Sequence, residues 1–147
     1  MSTADPDPQK HPLYRAEDAA FPNEKVELAL SELEWLAEEI AGAGWFGQRY
    51  GVREFIVTDG RGHCVARAGK GKKIHLPHGT RLKCILVHEI AHKVDLTGTE
   101  DHGAVFAAIY LFLVGRIYSP NAKRRLAYHF RQESVTWDHK IARTGKP

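Results

Sequence analysis

The sequence predicts an α+β fold, in which several helices pack with one small sheet. Apolar residues at helical spacing favour helices on both sides of residues 52–76, where short alternating segments separated by turn residues favour strands. The chain has 147 residues, 43% of them hydrophobic, which is enough for one domain with a buried core. We predict that this domain covers residues 13–137, between a disordered tail, residues 1–12, and a frayed C-terminus, residues 138–147.

The first long helix is predicted from a stripe of apolar residues with a period of 3.6. Asn23 can cap this helix, and Gly42 ends the pattern. Glu24 and Glu27 are expected to face water, and Trp35 is expected to seal the helix onto a sheet. The apolar stripe consists of Val26, Leu30, Leu33, Ala37 and Ile40.

Three short strands are predicted to follow. Residues 52–58 alternate between apolar and polar side chains and are followed by Asp59-Gly60, a tight-turn dipeptide. Residues 63–68 form the predicted returning strand, and a glycine-rich turn then leads into the third strand, residues 73–76. This order predicts an antiparallel meander. Its third strand is expected to line the substrate cleft beside the helix that follows it, and to offer an exposed edge with which an extended peptide can pair.

The next helix carries an H-E-x-x-H pattern. His88 and His92 are four positions apart, so a helix places both imidazoles on one face, where they can bind one metal ion, while Glu89 leans over the remaining position. Imidazole nitrogen suits zinc, which lowers the pKa of a bound water, and Glu89 can accept the proton from that water. The pattern therefore predicts one Zn²⁺ ion in a hydrolase, with Glu89 as the general base.

A third ligand is required, because two imidazoles on one helix hold zinc only weakly. His102 is favoured, since its His-Gly step opens an apolar helical run that Phe106 can anchor from the core. Asp101 or Thr99 is expected to cap that helix, and either can hold an imidazole that binds the metal. The alternative ligands are Asp101, Glu100, Asp95 and His78, and the candidates for a hydroxyl that steadies an oxyanion are Tyr110, Tyr118 and Tyr128.

The last helix is predicted from Ser119-Pro120, a strong N-cap and N1 pair, to about Gln132. Leu126 and Phe130 are expected to face inward. Its basic residues, expected to face outward, are Lys123, Arg124, Arg125 and Arg131.

The composition of the chain bears on its cellular compartment and on the partners that it can bind. The longest apolar run, residues 104–115, is shorter than the roughly 20 residues that cross a bilayer, so no membrane association is expected. Cys64 and Cys84 give no disulfide framework, which favours a reducing, cytoplasmic compartment. Residues 1–50 hold 4 Lys/Arg and 10 Asp/Glu, whereas residues 51–147 hold 17 and 8. The basic part is compatible with a nucleic-acid partner, although scattered solvated lysines give the same count.

These motifs resemble those of the SprT-like zincin metallopeptidases. His88-Glu89-Ile90-Ala91-His92 is followed by His102-Gly103-x-x-Phe106, and in those enzymes the third ligand opens a helix in an H-G-x-x-[F/W] motif. The chain is similar over residues 13–137 to a small, uncharacterised metallohydrolase family of about this length, through residues 14–18 and 74–77 as well as this core. Ala104 and Val105 depart from the proline and the acidic residue that are usual after His-Gly.

The resemblance implies a zincin arrangement, with His88, His92 and His102 as ligands and Glu89 as base. We therefore predict a zinc metallopeptidase that acts on a peptide or protein substrate. One alternative is a nucleic-acid-associated zinc enzyme, either an SprT-like protease on DNA-bound proteins or a YbeY-like ribonuclease, although the latter has a shorter ligand interval and no glutamate after its first histidine. A further alternative is a binding module with structural zinc, which would need a fourth protein ligand such as Cys84 or His78.

Overall fold

The computed structural model describes residues 5–97 and 100–147. The predicted α+β class is confirmed: these residues form seven helices and one three-stranded mixed sheet. They make two compact units, one from Asn23–Val94 and the other from the described residues of Met1–Pro22 and Asp95–Pro147. In chain order the elements are α1 (Lys10–Ala20), α2 (Leu30–Gly42), α3 (Gly44–Tyr50), β1 (Ile56–Thr58), β2 (Arg67–Ala68), β3 (Lys73–His75), α4 (Lys83–Val94), α5 (Ala104–Ile117), α6 (Pro120–Gln132) and α7 (His139–Thr144).

The sheet has the strand order β1-β3-β2, so the predicted antiparallel meander is wrong. β3 is the central strand, parallel to β1 and antiparallel to β2, and its predicted exposed edge does not exist. The Asp59-Gly60 turn explains the difference. Gly60 has φ +64° and lies so close to Pro77 that a Cβ there would be 2.6 Å from the proline Cδ. The turn thus packs on the residues that follow β3 and does not fold a strand back beside β1.

Helix α2 begins seven residues after the predicted cap at Asn23. Its N-cap is Ala29, whose N–H donates to the Glu32 carboxylate at 3.3 Å. Of the predicted apolar stripe, Leu33, Ala37 and Ile40 are buried.

Two residues of the predicted first helix do not have the predicted burial. Val26 precedes the helix and is 82% exposed, and Trp35 is 58% exposed, so Trp35 does not seal α2 onto the sheet. The core of this unit instead contains aromatic residues from α3 and the segment before β1, and aliphatic residues from β3 and α4. Its fully buried members include Phe46, Ile74, Leu76, Leu86 and Ile90.

The residues before α2 serve the start of α4. Glu24 accepts a hydrogen bond from the Cys84 N–H at 2.8 Å, within the first turn of α4. Glu27 accepts from the backbone N–H groups of Gly79 and Arg81. Helix N-termini leave backbone donors unpaired, and a carboxylate there satisfies them and interacts favourably with the helix dipole. Glu27 is exposed, as predicted, and Glu24 is half-buried, but both carboxylates also bind backbone N–H groups, which the apolar period did not predict.

In the other unit, α5 is the central helix. Nine consecutive residues of α5, from Phe106 to Val114, are buried, because the helix is apolar on nearly all sides and packs against α6 and α7. α1 packs against α6. α6 begins as predicted: the Ser119 side chain accepts from the Ala122 N–H at 3.0 Å, and Pro120 is the first helical residue.

The ends of the chain differ from the prediction. α1 begins at Lys10, within the predicted tail 1–12, because Gln9 binds the backbone of His102 and Thr136. α7 occupies most of the predicted frayed segment 138–147, where the Asp138 side chain caps it by accepting from the Ile141 N–H at 3.0 Å. The first four residues of the predicted tail lie outside the described residues.

Within the part of the chain that the structure describes, no helix is both long enough and apolar enough to span a membrane.

Candidate metal centre

Helix α4 carries His88, Glu89 and His92. His88 and Glu89 are 4% and 5% exposed, and His92 is half-buried. The rings of the two histidines have centroids 5.0 Å apart, as expected for residues one helical turn apart. The i, i+4 spacing and a helix anchored at its start by Glu24 therefore place two imidazoles on one face.

His102 lies just before α5, whose N-cap is Gly103. The Gly103 N–H donates to the Glu100 carbonyl at 3.0 Å, and a Cβ on Gly103 would be 2.9 Å from the Glu100 Cβ. This close approach explains the glycine of the His-Gly step. The cap position of α5 is held by Gly103 and not by Asp101, which is exposed. Thr99, the other predicted cap, lies outside the described residues.

A carboxylate that the sequence analysis did not identify orients His102. Asp7 Oδ2 lies 2.6 Å from His102 Nδ1, and Asp7 Oδ1 accepts from the His102 backbone N–H at 3.1 Å. A carboxylate accepts hydrogen bonds, so Nδ1 donates to Asp7 and Nε2 is the nitrogen of this ring that is left to bind a metal ion. Metal-binding histidines commonly use their other nitrogen in this way. Tyr14 and Phe106 hold the ring edge-on, with centroids 5.3 Å and 5.1 Å from it.

The three histidines form one cluster. One ring nitrogen from each of His88, His92 and His102 lies within 4.8 Å of the others. Two nitrogens bound to one zinc ion are about 3.4 Å apart, a separation that lies within this limit. Three imidazoles, two of them buried, form a set of ligands that can hold a metal ion.

No further His, Cys, Asp or Glu among the described residues joins this cluster. Cys84 is buried in the first turn of α4, and Asp95 accepts from the N–H and hydroxyl of Thr97. His78 is exposed, with Nε2 3.5 Å from a guanidinium nitrogen of Arg81. Of the proposed third ligands, the structure therefore brings His102 to the α4 histidines and leaves out Asp95, Glu100, Asp101 and His78.

The three tyrosines proposed as oxyanion donors make contacts with residues other than the three histidines. The Tyr110 hydroxyl donates to the buried Glu17 carboxylate at 2.6 Å. Tyr118 packs against Phe21, with ring centroids 5.0 Å apart, and Tyr128 is more than half exposed. The sequence did not single out Tyr14, whose ring contacts that of His102 edge-on.

Lys93 follows His92 and ties the β2–β3 turn to α4. Its ammonium donates to the carbonyl of Gly69 and to that of Gly71, the latter at 2.7 Å. Burial lowers the pKa of Lys93, although the Glu89 carboxylate acts in the opposite direction. The lysine therefore holds edge strand β2 close to the helix that carries the histidines.

The fold and the cluster together define an α+β chain with a candidate three-histidine metal centre. No known protein family, characterised protein or solved structure matches this chain. The resemblance to SprT-like zincins stays a prediction from the motifs.

Proposed function

We propose that this chain is a zinc-dependent hydrolase. The observation that carries the proposal is the cluster of His88, His92 and His102, with Glu89 adjacent to the first histidine on α4. Imidazoles are borderline ligands that suit zinc, and catalytic zinc sites have three protein ligands and one open position. A zinc ion held there polarises a carbonyl group and lowers the pKa of water towards neutrality.

The residues of the chain divide the remaining work. His88, His92 and His102 would hold the ion, and Asp7 binds Nδ1 of His102, which leaves Nε2 of that ring to serve as the ligand atom. Glu89 accepts the proton of the attacking water and then delivers it to the leaving group. Burial of Glu89 and His88 strengthens their electrostatic interactions, because the local dielectric constant is lower than that of water.

A structural role for the metal is less well supported. Structural zinc sites are usually closed by four protein ligands, whereas the cluster has three among the described residues. Cys84 and His78, the two residues that would have closed it, do not belong to the cluster. A buried carboxylate next to a ligand on the same helix can also serve as the base of an open site.

A peptide is the substrate class that we propose. β2 is an edge strand: β3 pairs with one side of it, and no other described strand pairs with the opposite side. α4 packs against β2, so this strand lies beside the helix that carries Glu89. Edge strands present unpaired backbone groups to which an extended peptide can add as a further strand. β2 thus takes the role that the sequence analysis gave to residues 73–76.

Peptide cleavage by Glu89→Gln tests this function. The variant is expected to keep its zinc and to lose at least about 100-fold in the rate of casein or fluorogenic-peptide cleavage, because the amide cannot accept the proton. Glu100 is an exposed glutamate outside the cluster, and Glu100→Gln is the matched control. This variant is expected to keep its zinc and the wild-type rate of cleavage.

Two outcomes would contradict parts of the proposal. Unchanged cleavage by zinc-loaded Glu89→Gln would exclude Glu89 as the base. Cleavage of RNA that chelation abolishes, without cleavage of peptides, would replace the peptidase by a metal-dependent nuclease.

We also propose a reducing, cytoplasmic setting, because neither Cys64 nor Cys84 forms a disulfide.

A further inference from the structure

A cavity of about 450 Å³ lies against helices α5, α6 and α7. We call it the α6–α7 cleft. None of its described lining residues is acidic, and four carry a positive charge. Its charged and aromatic lining residues are Lys123, Arg124 and Arg131 of α6, Trp137 of the following loop, and His139 and Arg143 of α7.

Two acidic residues lie near the cleft in sequence, and both have partners outside its lining. Glu133 pairs with Arg15 at 2.5 Å, and Asp138 accepts from the Ile141 N–H as the cap of α7. Like charges around one cavity repel each other, and an anion bound among them removes that repulsion. The cleft therefore has the electrostatic character of an anion site.

Two of its cations are held in place. The Lys123 ammonium donates to the Ala142 carbonyl at 2.6 Å, which uses one of its three donors, and burial lowers its pKa. The Arg131 guanidinium lies 5.2 Å from the ring centroid of Trp137. The rings of His139 and Phe130 also contact Trp137, with centroids 5.2 Å and 5.9 Å from it. A held guanidinium loses little entropy on binding phosphate, which it can bind through two donors at once.

We propose that the α6–α7 cleft binds a nucleotide unit, with its phosphate among the arginines and lysine and its base against the aromatic wall of Trp137 and His139. A volume of about 450 Å³ is within the range of small-molecule sites. Bases pack favourably on aromatic and arginine side chains, whereas a simple anion gains nothing from them. The unit can belong to a free nucleotide or to a single-stranded nucleic acid. This inference does not depend on the metal centre.

Binding to the full-length protein tests the inference. The probes are adenosine 5′-monophosphate, measured by calorimetry, and a fluorescein-labelled single-stranded oligonucleotide, measured by anisotropy. Arg124→Gln and Arg143→Gln are expected to weaken binding at least about tenfold, because each removes a charged donor to the phosphate. The probe that binds more tightly identifies the source of the nucleotide unit.

Matched controls remove the same charge beside the cleft. Arg125 is adjacent to Arg124 on α6, and its guanidinium donates to the Ala20 carbonyl; Lys140 is on α7 with Arg143, and neither control residue lines the cleft. Arg125→Gln and Lys140→Gln are expected to bind within about twofold of the wild type, and thermal melting checks that all four variants fold. Equal losses in lining and control variants, or no binding of either probe at low salt, would overturn the site. Equal binding of ribose 5-phosphate would overturn the nucleotide assignment.

Discussion

Asp7 is the residue whose position adds most to the account of the metal centre. Its two carboxylate oxygens bind the ring and the backbone of His102. The side chain of Asp7 is only 17% exposed, which keeps water from competing for these hydrogen bonds. A residue outside the proposed ligands thus fixes both the protonation pattern and the orientation of one of them.

Asp7→Asn is therefore expected to lower zinc affinity by about 10- to 100-fold while leaving the fold intact. Asparagine keeps the shape of the side chain and loses the charge that stabilises the protonated Nδ1. Competition with a fluorescent zinc chelator measures the affinity. Asp101 is an exposed aspartate next to His102, and Asp101→Asn is the control. Loss of zinc affinity in Asp101→Asn and not in Asp7→Asn would show that Asp101, and not Asp7, orients His102.

The spacing of His88 and His92 could be predicted from sequence, because the geometry of one helical turn is local. His102 was predicted from the His-Gly step, which the close approach of Gly103 to Glu100 explains. Asp7 could not be predicted in this way. It lies 95 residues from His102, in a polar segment that has no periodicity, and only tertiary structure brings the two together.

At the scale of elements, α4 depends on residues that precede α2. Glu27 binds the N–H groups of Gly79 and Arg81, just before α4, and Leu28 donates to the Arg81 carbonyl at 2.8 Å. The hydrogen bond from the Arg81 backbone lowers the pKa of the Glu27 carboxyl; burial opposes this effect, and the bond from Gly79 adds to it. Folding therefore favours the ionised form of Glu27.

This linkage predicts a pH dependence of stability. A carboxyl with a lowered folded-state pKa stabilises the fold above its unfolded-state pKa, and the contribution is lost as the pH falls through the lowered value. Glu27→Gln is expected to melt at a lower temperature than the wild type at pH 7. The difference should shrink as the pH falls below about 4.3, the ordinary pKa of a glutamate, and the wild-type carboxyl becomes protonated.

Thermal melting from pH 7 to pH 3, with the same chelator in all samples, measures this difference. Glu38→Gln, an exposed glutamate on α2, controls for the loss of one negative charge and should melt like the wild type throughout. A melting difference for Glu27→Gln that stays constant down to pH 3 would show that ionisation of Glu27 contributes nothing.

The element boundaries show where local patterns fail. The apolar period in the first long helix was correct for Leu33, Ala37 and Ile40, but it did not reveal that Glu24 binds the start of α4 and so keeps residues 23–28 out of the helix. Strand order failed for a related reason. The parallel pairing of β1 with β3 depends on contacts such as Gly60 with Pro77, which no alternation of residues encodes.

At the scale of the whole molecule, the α+β class followed from apolar periodicity, which is summed over many residues and tolerates local errors. The central helix α5 was predicted for the same reason, since its apolar run leaves no polar face. The proposed function, however, depends on a few atoms: three imidazole nitrogens that lie close enough together to hold one metal ion. A metal that binds only the folded chain also stabilises it, so occupancy links the site to the fold.

Zinc content per chain, measured by elemental analysis of variants purified side by side, tests this claim most directly. We predict one zinc ion per chain in the wild type, in Glu89→Gln and in His78→Ala, whose histidine lies outside the cluster. Removal of one ligand should reduce occupancy to below about a tenth in His88→Ala, His92→Ala and His102→Ala. A wild type without zinc, or full occupancy after loss of any of these three histidines, would contradict the account.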